Sequence, residues 1–330
     1  MKARYLIWLL FVCLAFVACK KHNKTADTGS FVNYKDVKTP NFNADSAYYF
    51  VKKQCDFGPR TPQSEASKKC ASWLIEYLTS KADTVYVQEF SCKMWNGKEV
   101  KGKNIIASFN PQKADRVMFC SHWDSRLWAD QDEDTNNRHK PILGANDGAS
   151  GVGVLLEIAR LMKGKQTNQG LDIILFDMED QGAPEWSGVN IEDQTDWCLG
   201  SQYWAQNLHI PYYKAKYGIL LDMVGGHNIR FAKEMQSMGY ASTIMNNVWN
   251  IAKDIGYENI FVDQTSGSVM DDHIWINHYA QIPTIDIVNN DVQTSFFPYW
   301  HTTKDDMQCI DKNSLDVVGK VLLVSFFAAE

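Results

Sequence analysis

LDIILFDMEDQGAPEW, running from Leu171 to Trp186, opens with a short apolar run over 171–176 and then turns acidic at Asp177, Glu179 and Asp180. A brief, β-branched apolar run of this kind predicts a buried parallel strand rather than a helix. Open α/β sheets keep their sites beyond the C-terminal ends of their strands, which is where these carboxylates fall. Successive side chains leaving a strand point to opposite sides, so Glu179 and Asp180 can divide the work, one binding a metal and the other handling a proton. An acidic loop capping the next helix would look the same in isolation, so the rest of the chain must decide.

Upstream, Ala47, Phe50, Val51 and Gln54 lie at helical spacing until Phe57-Gly58-Pro59-Arg60 forms a turn, and Ser64 starts a second helix through about residue 80. Strands are expected at 84–90, 104–109 and 116–120, the last delivering His122 and Asp124 to its end. Residues 127–143 read as a long solvated loop; its acids Asp130, Asp132, Glu133 and Asp134 lack the glycine turn and terminal Glu of a calcium-binding EF-hand loop. Gly144 to Gly151 then leads into an amphipathic helix reaching about Met162. Downstream, helices are expected at 199–208, 241–255, 271–278 and 312–327, with strands at 217–223 and 283–288. Strands alternating with helices imply a three-layer α/β/α fold whose central mixed sheet is mostly parallel and covered on both faces.

His122, Asp147, Glu179 or Asp180, Asp222 and His301 all fall at or just beyond the C-terminal ends of these strands. Each alone has a bland explanation, a turn Asp or a satisfied polar His, but repetition at one end of a sheet is hard to obtain by accident. Imidazole and carboxylate together suit zinc, and a catalytic zinc keeps three protein ligands and one open position.

Met1 to Arg4 is charged and residues 5–18 are apolar, the pattern of an export signal, too short and too early for a membrane span. The run ends in Phe16-Val17-Ala18-Cys19, which resembles a bacterial lipobox. Residues 1–18 are therefore expected to be a lipoprotein signal peptide, and Cys19 to carry a lipid that anchors the protein to a bacterial membrane on the periplasmic side. Residues 19–42 are polar and read as a flexible tether, leaving 43–330 as one domain, expected to be monomeric. A net charge of −6 without a basic stripe argues against nucleic acid as a partner. An exported compartment permits disulfides, and Cys55 with Cys70, bracketing a turn between two helices, is the first pair expected.

The order His122-x-Asp124, Gly-Ala-Asn-Asp147-Gly-Ala, Phe-Asp-Met-Glu179-Asp180, Leu-Leu-Asp222-Met, Asp271-Asp272-His273 and Trp300-His301 resembles the zinc aminopeptidase superfamily. Within it, the chain is similar to the animal-type glutaminyl-peptide cyclotransferases over roughly residues 45–330. Asp271 stands where the aminopeptidases have Ser, and Trp186 and Trp300 stand where cyclases place large walls around a small pocket. The resemblance implies conversion of an N-terminal Gln of peptides and proteins to 5-oxoproline with release of ammonia. It implies a single zinc held by Asp147, Asp180 and His301, Glu179 as general acid and base, and Asp222 and Asp271 sharing its proton network. His122, Trp186 and Trp300 would face the substrate. His122 and Asp222 also occupy positions that hold a second zinc in the aminopeptidases, so a zinc aminopeptidase is the first alternative and a non-catalytic peptide-binding lipoprotein the second.

Two departures from the animal pattern matter. Asp180 replaces Glu, which draws the carboxylate back by roughly 1.5 Å, one C–C bond, and requires the backbone to come closer to the metal. Asp286 stands where the animal enzymes have His, so the outer polar network differs.

Overall fold

Apolar side chains that alternate along buried strands must be covered on both faces, and that requirement sets the architecture. The computed structural model describes residues 33–189, 195–291 and 295–328. The expected signal, Cys19 and the tether up to residue 32 lie outside the described residues. The strands of interest are β1 (Thr84–Lys93), β2 (Glu99–Phe109), β3 (Arg116–His122), β4 (Gly170–Phe176), β5 (Gly218–Asp222), β6 (Phe231–Lys233), β7 (Phe261–Thr265) and β8 (Thr284–Val288). The helices are α1 (Ala44–Asp56), α2 (Glu65–Thr79), α3 (Ala149–Met162), α4 (Leu199–Gln206), α5 (Met235–Asp254), α6 (Asp272–Trp275) and α7 (Lys312–Phe327).

The main sheet has six strands in the order β1-β2-β4-β3-β5-β8. The four from β4 to β8 run parallel, with Cys120 opposite Ile174 and Leu220 opposite Asp286. β1 and β2 form an antiparallel hairpin, and β2 pairs antiparallel with β4. On one face Phe119, Ile173, Ile219 and Ile285 pack with Val51 of α1, Leu155 of α3, Val248 of α5 and Val318 of α7. On the other, Met118, Ile174 and Leu220 meet Trp204 of α4 and Ile276. The sheet is thus the middle of three layers, and its parallel strands release their C-terminal ends together.

Several boundaries differ from the sequence expectation. Tyr34 and Val37 pack on the core and Phe42 is buried in it, wedged where a Cβ on Gly319 of α7 would stand, so residues 33–42 belong to the domain rather than to a tether. Helix α5 begins before residue 241, the expected start, because Glu234 caps it; Ala241 (φ −143°) is a kink inside it. Helix α6 is short and runs into a π turn over Ile276–Ala280, a distortion common near functional sites. β6 and β7 form a separate parallel pair that no periodicity announced. Cys55 and Cys70 are both free thiols buried in the core rather than a disulfide, and burial pushes each up to about 12. Surrounded by apolar side chains, each serves as a small hydrophobe.

Glu234 ties α5 to α6. Its carboxylate accepts from the N–H groups of Gln236 (2.8 Å), Ser237 (2.6 Å) and Val269 (3.0 Å), and lies 3.2 Å from His273 Nε2. Burial alone would raise its pKa, but the His273 contact and the backbone donors outweigh it and hold the group at about 2, against 4.5 for a free Glu. A pKa depressed on folding contributes stability that is present above the unfolded value and lost as pH falls towards the folded one. Glu234→Gln should therefore be less stable than wild type near neutrality by about 3 kcal/mol, with the gap closing as pH falls from about 5 to about 2. Denaturant titrations at several pH values test this; a pH-independent gap would remove the ionised carboxylate from the account.

Candidate metal centre and acid-base site

His122 ends β3, Asp222 ends β5, and the turn after β4 carries Glu179 and Asp180. Asp147 lies just before α3, after Asn146 and ahead of Gly148, which adopts φ +64°. A Cβ at Gly148 would collide with the imidazole and carbonyl of His122, so glycine is required for α3 to start this close to β3. His301 lies in the loop beyond β8, itself at φ 55°.

Asp147, Asp180 and His301 each offer one atom within 4.8 Å of the others, and all three are buried. His301 Nε2 lies 2.9 Å from Asp180 Oδ1 and 3.7 Å from Asp147 Oδ2. Asp147 Oδ2 and Asp180 Oδ2 are buried without a hydrogen-bond partner among the described residues, and Asp180 Oδ1 is met by the His301 ring at 2.9 Å. Orphaned buried carboxylate oxygens beside an imidazole are what a cation site looks like from the protein side, and two oxygens with one nitrogen suit zinc. His122, Asp147 and Asp222 form a second such group, sharing Asp147.

Outer partners hold these groups. The Asp124 carboxylate accepts from the backbone N–H of Glu179 and of Asp180, both at 3.2 Å, and from Gln181 Nε2 at 2.9 Å. This draws in the main chain of the acidic turn and meets the shorter reach of Asp180. Asp305 accepts from the N–H of Asn146 (2.8 Å) and Asp147 (3.1 Å). Arg126, fully buried, donates to both oxygens of Asp130 (2.7 and 2.6 Å) and to the Asp180 carbonyl (3.1 Å). Asp130 in turn faces His301 Nδ1 at 3.3 Å, leaving Nε2 towards Asp180 and Asp147. Asp132 accepts from the N–H (2.9 Å) and hydroxyl (2.6 Å) of Thr303. The acids Asp130 and Asp132 are therefore buried fasteners of the His301 loop, a correction at these two positions to the solvated loop expected over 127–143, in which Glu133 and Asp134 are exposed as expected. Burial opposes the ionised form of Asp132, but the Thr303 bonds prevail and hold it at about 2.

Glu179 is buried and lies within 4.8 Å of Cys198 and Asp271, counted from their ligand atoms. Burial pushes its pKa well above the usual carboxyl range; His122 pulls it down, while Asp271, Asp180 and Asp272 push it up. Asp271 rises to about 7, first by burial and then by the charge of Asp222. Asp222 and Asp180 rise to about 6 by burial, Asp222 against the pull of its His122 contact and Asp180 with the further push of Asp147. Asp147 goes the other way: burial would raise it, but His122, His301 and Arg126 keep it below the usual carboxylate value. A cluster whose members are driven apart in this way can hold and pass a proton. Asp286 lies with Asp271 and His273, the three within 4.8 Å of one another; burial first, then the charge of Asp271, drive the Asp286 pKa well up.

The cavity over these groups is small, about 50 Å³, and is lined by Glu179, Asp180, Asp271, Trp197, Phe296 and Trp300 among others. A larger cavity of about 500 Å³ between α2 and the β1–β2 hairpin gathers none of the candidate ligands. Trp300 stands against His301, ring centroids 3.8 Å apart. Two expectations are corrected. Trp186 is not among the lining residues; it is 41% exposed on a short turn, its ring 4.4 Å from His139. Trp197, just ahead of α4, takes the wall, stacked at 5° to His301 with Arg126 4.6 Å over its ring. His122 does not line the cavity either, because it is enclosed by carboxylates: Asp124 at 3.3 Å, Asp147 at 3.1 Å and Asp222 at 3.2 Å. Sequence reasoning missed Trp197, which follows the Glu pair as Trp186 does and could have been weighed beside it; Asp124 stood in view at a strand end, and Arg126 gave no sequence signal.

A model of peptidase family M28 matches residues 104–325, which contain all the ligand candidates above. The chain belongs to peptidase family M28. Among solved structures, a Bacteroides thetaiotaomicron glutaminyl cyclase bound to N-acetylhistamine is 46% identical with a TM-score of 0.86, over 88% of this chain and 99% of that one. A Zn-dependent exopeptidase from Parabacteroides distasonis is 45% identical with a TM-score of 0.84, over 87% of this chain and 98% of the other. A glutaminyl-peptide cyclotransferase of Dictyostelium discoideum is 26% identical over 253 residues, 68% of this chain and 63% of that protein, so the chain spans less than two thirds of that relative's length. The α/β fold with its mixed sheet is shared with these zinc exopeptidase-like cyclases.

Asp130 orients His301 for this M28 centre, and outer partners of metal-binding His residues typically cost 10–100-fold in affinity when changed. Asp130→Asn should weaken zinc binding by roughly that factor, read by competition with a chelator, while circular dichroism stays unchanged. Wild-type affinity would show that His301 is oriented by its aromatic neighbours alone.

Proposed function

We propose that this M28 protein is a glutaminyl-peptide cyclotransferase, acting on N-terminal Gln of peptides and proteins with one zinc ion per chain. The observation that carries the reading is the buried carboxyl of Asp271 beside Glu179, within 4.8 Å, in a small aromatic-walled cavity. Cyclisation brings its own nucleophile, the substrate's α-amine, so the protein must supply position, polarisation and a proton carrier. Zinc held by Asp147, Asp180 and His301 would supply a Lewis acid at the side-chain amide oxygen. Trp300 and Trp197 confine the side chain, and the narrow walls exclude bulk water that would compete with the amine. Glu179, its pKa lifted well above the usual carboxyl range by burial, takes a proton from the attacking nitrogen and returns it to the departing ammonia. Asp271 and Asp222 share that proton load.

A second reading, a zinc aminopeptidase, is favoured by one observation: His122, Asp147 and Asp222 make a second group able to hold an ion. Gln-Phe-Ala and Leu-Phe-Ala incubated with protein of known zinc content separate the two by mass spectrometry. Loss of ammonia from the Gln peptide alone is expected, and it should vanish in Glu179→Gln although that variant still binds zinc. Free Leu or free Gln would select the aminopeptidase, and an active Glu179→Gln would remove Glu179 from proton transfer.

We also propose export and lipid attachment at Cys19, supported by the residues Met1 to Cys19. Cys19→Ser should move the protein from the membrane fraction to the soluble one; unchanged fractionation would rule out the anchor.

A further inference from the structure

Cys198 is a fully buried thiol at the head of α4, in a left-handed conformation (φ 56°, ψ 34°) that a residue with a Cβ rarely adopts. Two bonds to one residue hold it there. Its N–H donates to the Glu179 carbonyl at 2.8 Å, and its Sγ lies 3.3 Å from Glu179 Oε1 as donor. Among the described residues no second donor comes within hydrogen-bond distance of that carboxyl; His122 Nδ1 stays 3.9 Å from Oε2. Glu has three side-chain torsions, and a carboxyl that must accept and return a proton at fixed points loses effectiveness if it swings. Burial raises the thiol's pKa, so it remains a neutral donor.

We propose that Cys198 is a positioning residue: its thiol pins Oε1 of Glu179, fixing the carboxyl while Oε2 stays free of hydrogen bonds for proton exchange. This rests on Glu179 being the proton carrier, and it extends that reading to the group that aims it. Ser at this position keeps a donor; Ala removes it and leaves space for the carboxyl to turn.

The test compares wild type, Cys198→Ala and Cys198→Ser by kcat, KM, zinc content and melting temperature on a Gln peptide. Cys198→Ala should lower kcat by roughly 10-fold with KM and zinc content unchanged, and Cys198→Ser should recover most of the loss. Wild-type kcat in Cys198→Ala, or equal losses in both variants that track zinc content or melting temperature, would overturn it. If wild type hydrolyses peptides instead, the cyclase reading fails while the same series, read on amino acid release, still tests the clamp. An activity-free reading comes from the infrared S–H stretch, assigned by its loss in Cys198→Ser. That band should move to higher frequency in Glu179→Ala, where the acceptor is gone, and an unmoved band would overturn the proposal.

Discussion

Like charges brought together out of water must be neutralised, and that constraint governs this molecule. Asp147, Asp180, Glu179, Asp222 and Asp271 all reach the closed end of one sheet, where each is largely hidden from solvent. Like charges in a medium of low dielectric repel far more strongly than in water. The protein answers in three ways at once. The guanidinium of Arg126 beside Asp180, the Asp272 N–H on Asp271 and the imidazoles of His122 and His301 offset part of the charge. Protonation can remove another part, since burial and the charge of Asp222 raise Asp271 to about 7. The orphaned oxygens of Asp147 and Asp180 are left for a metal ion. Catalytic competence and electrostatic tolerance are therefore one problem with one solution.

Part of the backbone strain sits beside these groups. Met178, Cys198, Met223 and His301 all have positive φ, and each adjoins a group of the site. Such conformations persist only where surrounding contacts over-determine them. Met178 turns the chain so that Glu179 and Asp180 follow in quick succession, and Met223 turns it away from Asp222. His301 is held by Asp130 on its ring and by Gln131 on its carbonyl.

Short apolar runs with acids at their ends are local signals, which is why β4, the gathering of Asp147, Asp180 and His301 at one end of the sheet and the three layers were legible in the sequence. The antiparallel partner of β4 was not, because the two directions of pairing bury the same residues of β2. Long-range contacts were also silent: Asp130 and Asp132 look like loop acids until His301 and Thr303, far along the chain, close on them. Trp186 and Trp197 illustrate the same limit. Both follow the Glu pair, and only the turn at Glu185–Ser187, which carries Trp186 outward, separates them.

His301 lies nearly parallel to two indoles, Trp197 at 6.0 Å and Trp300 at 3.8 Å. A protonated imidazole beside an excited indole drains its emission, whereas a neutral or metal-held ring does so far less. The centre thereby contains its own optical reporter. Filling or emptying it will brighten or dim these two tryptophans, so occupancy can be followed by light in the unlabelled protein, without turnover and without any added dye.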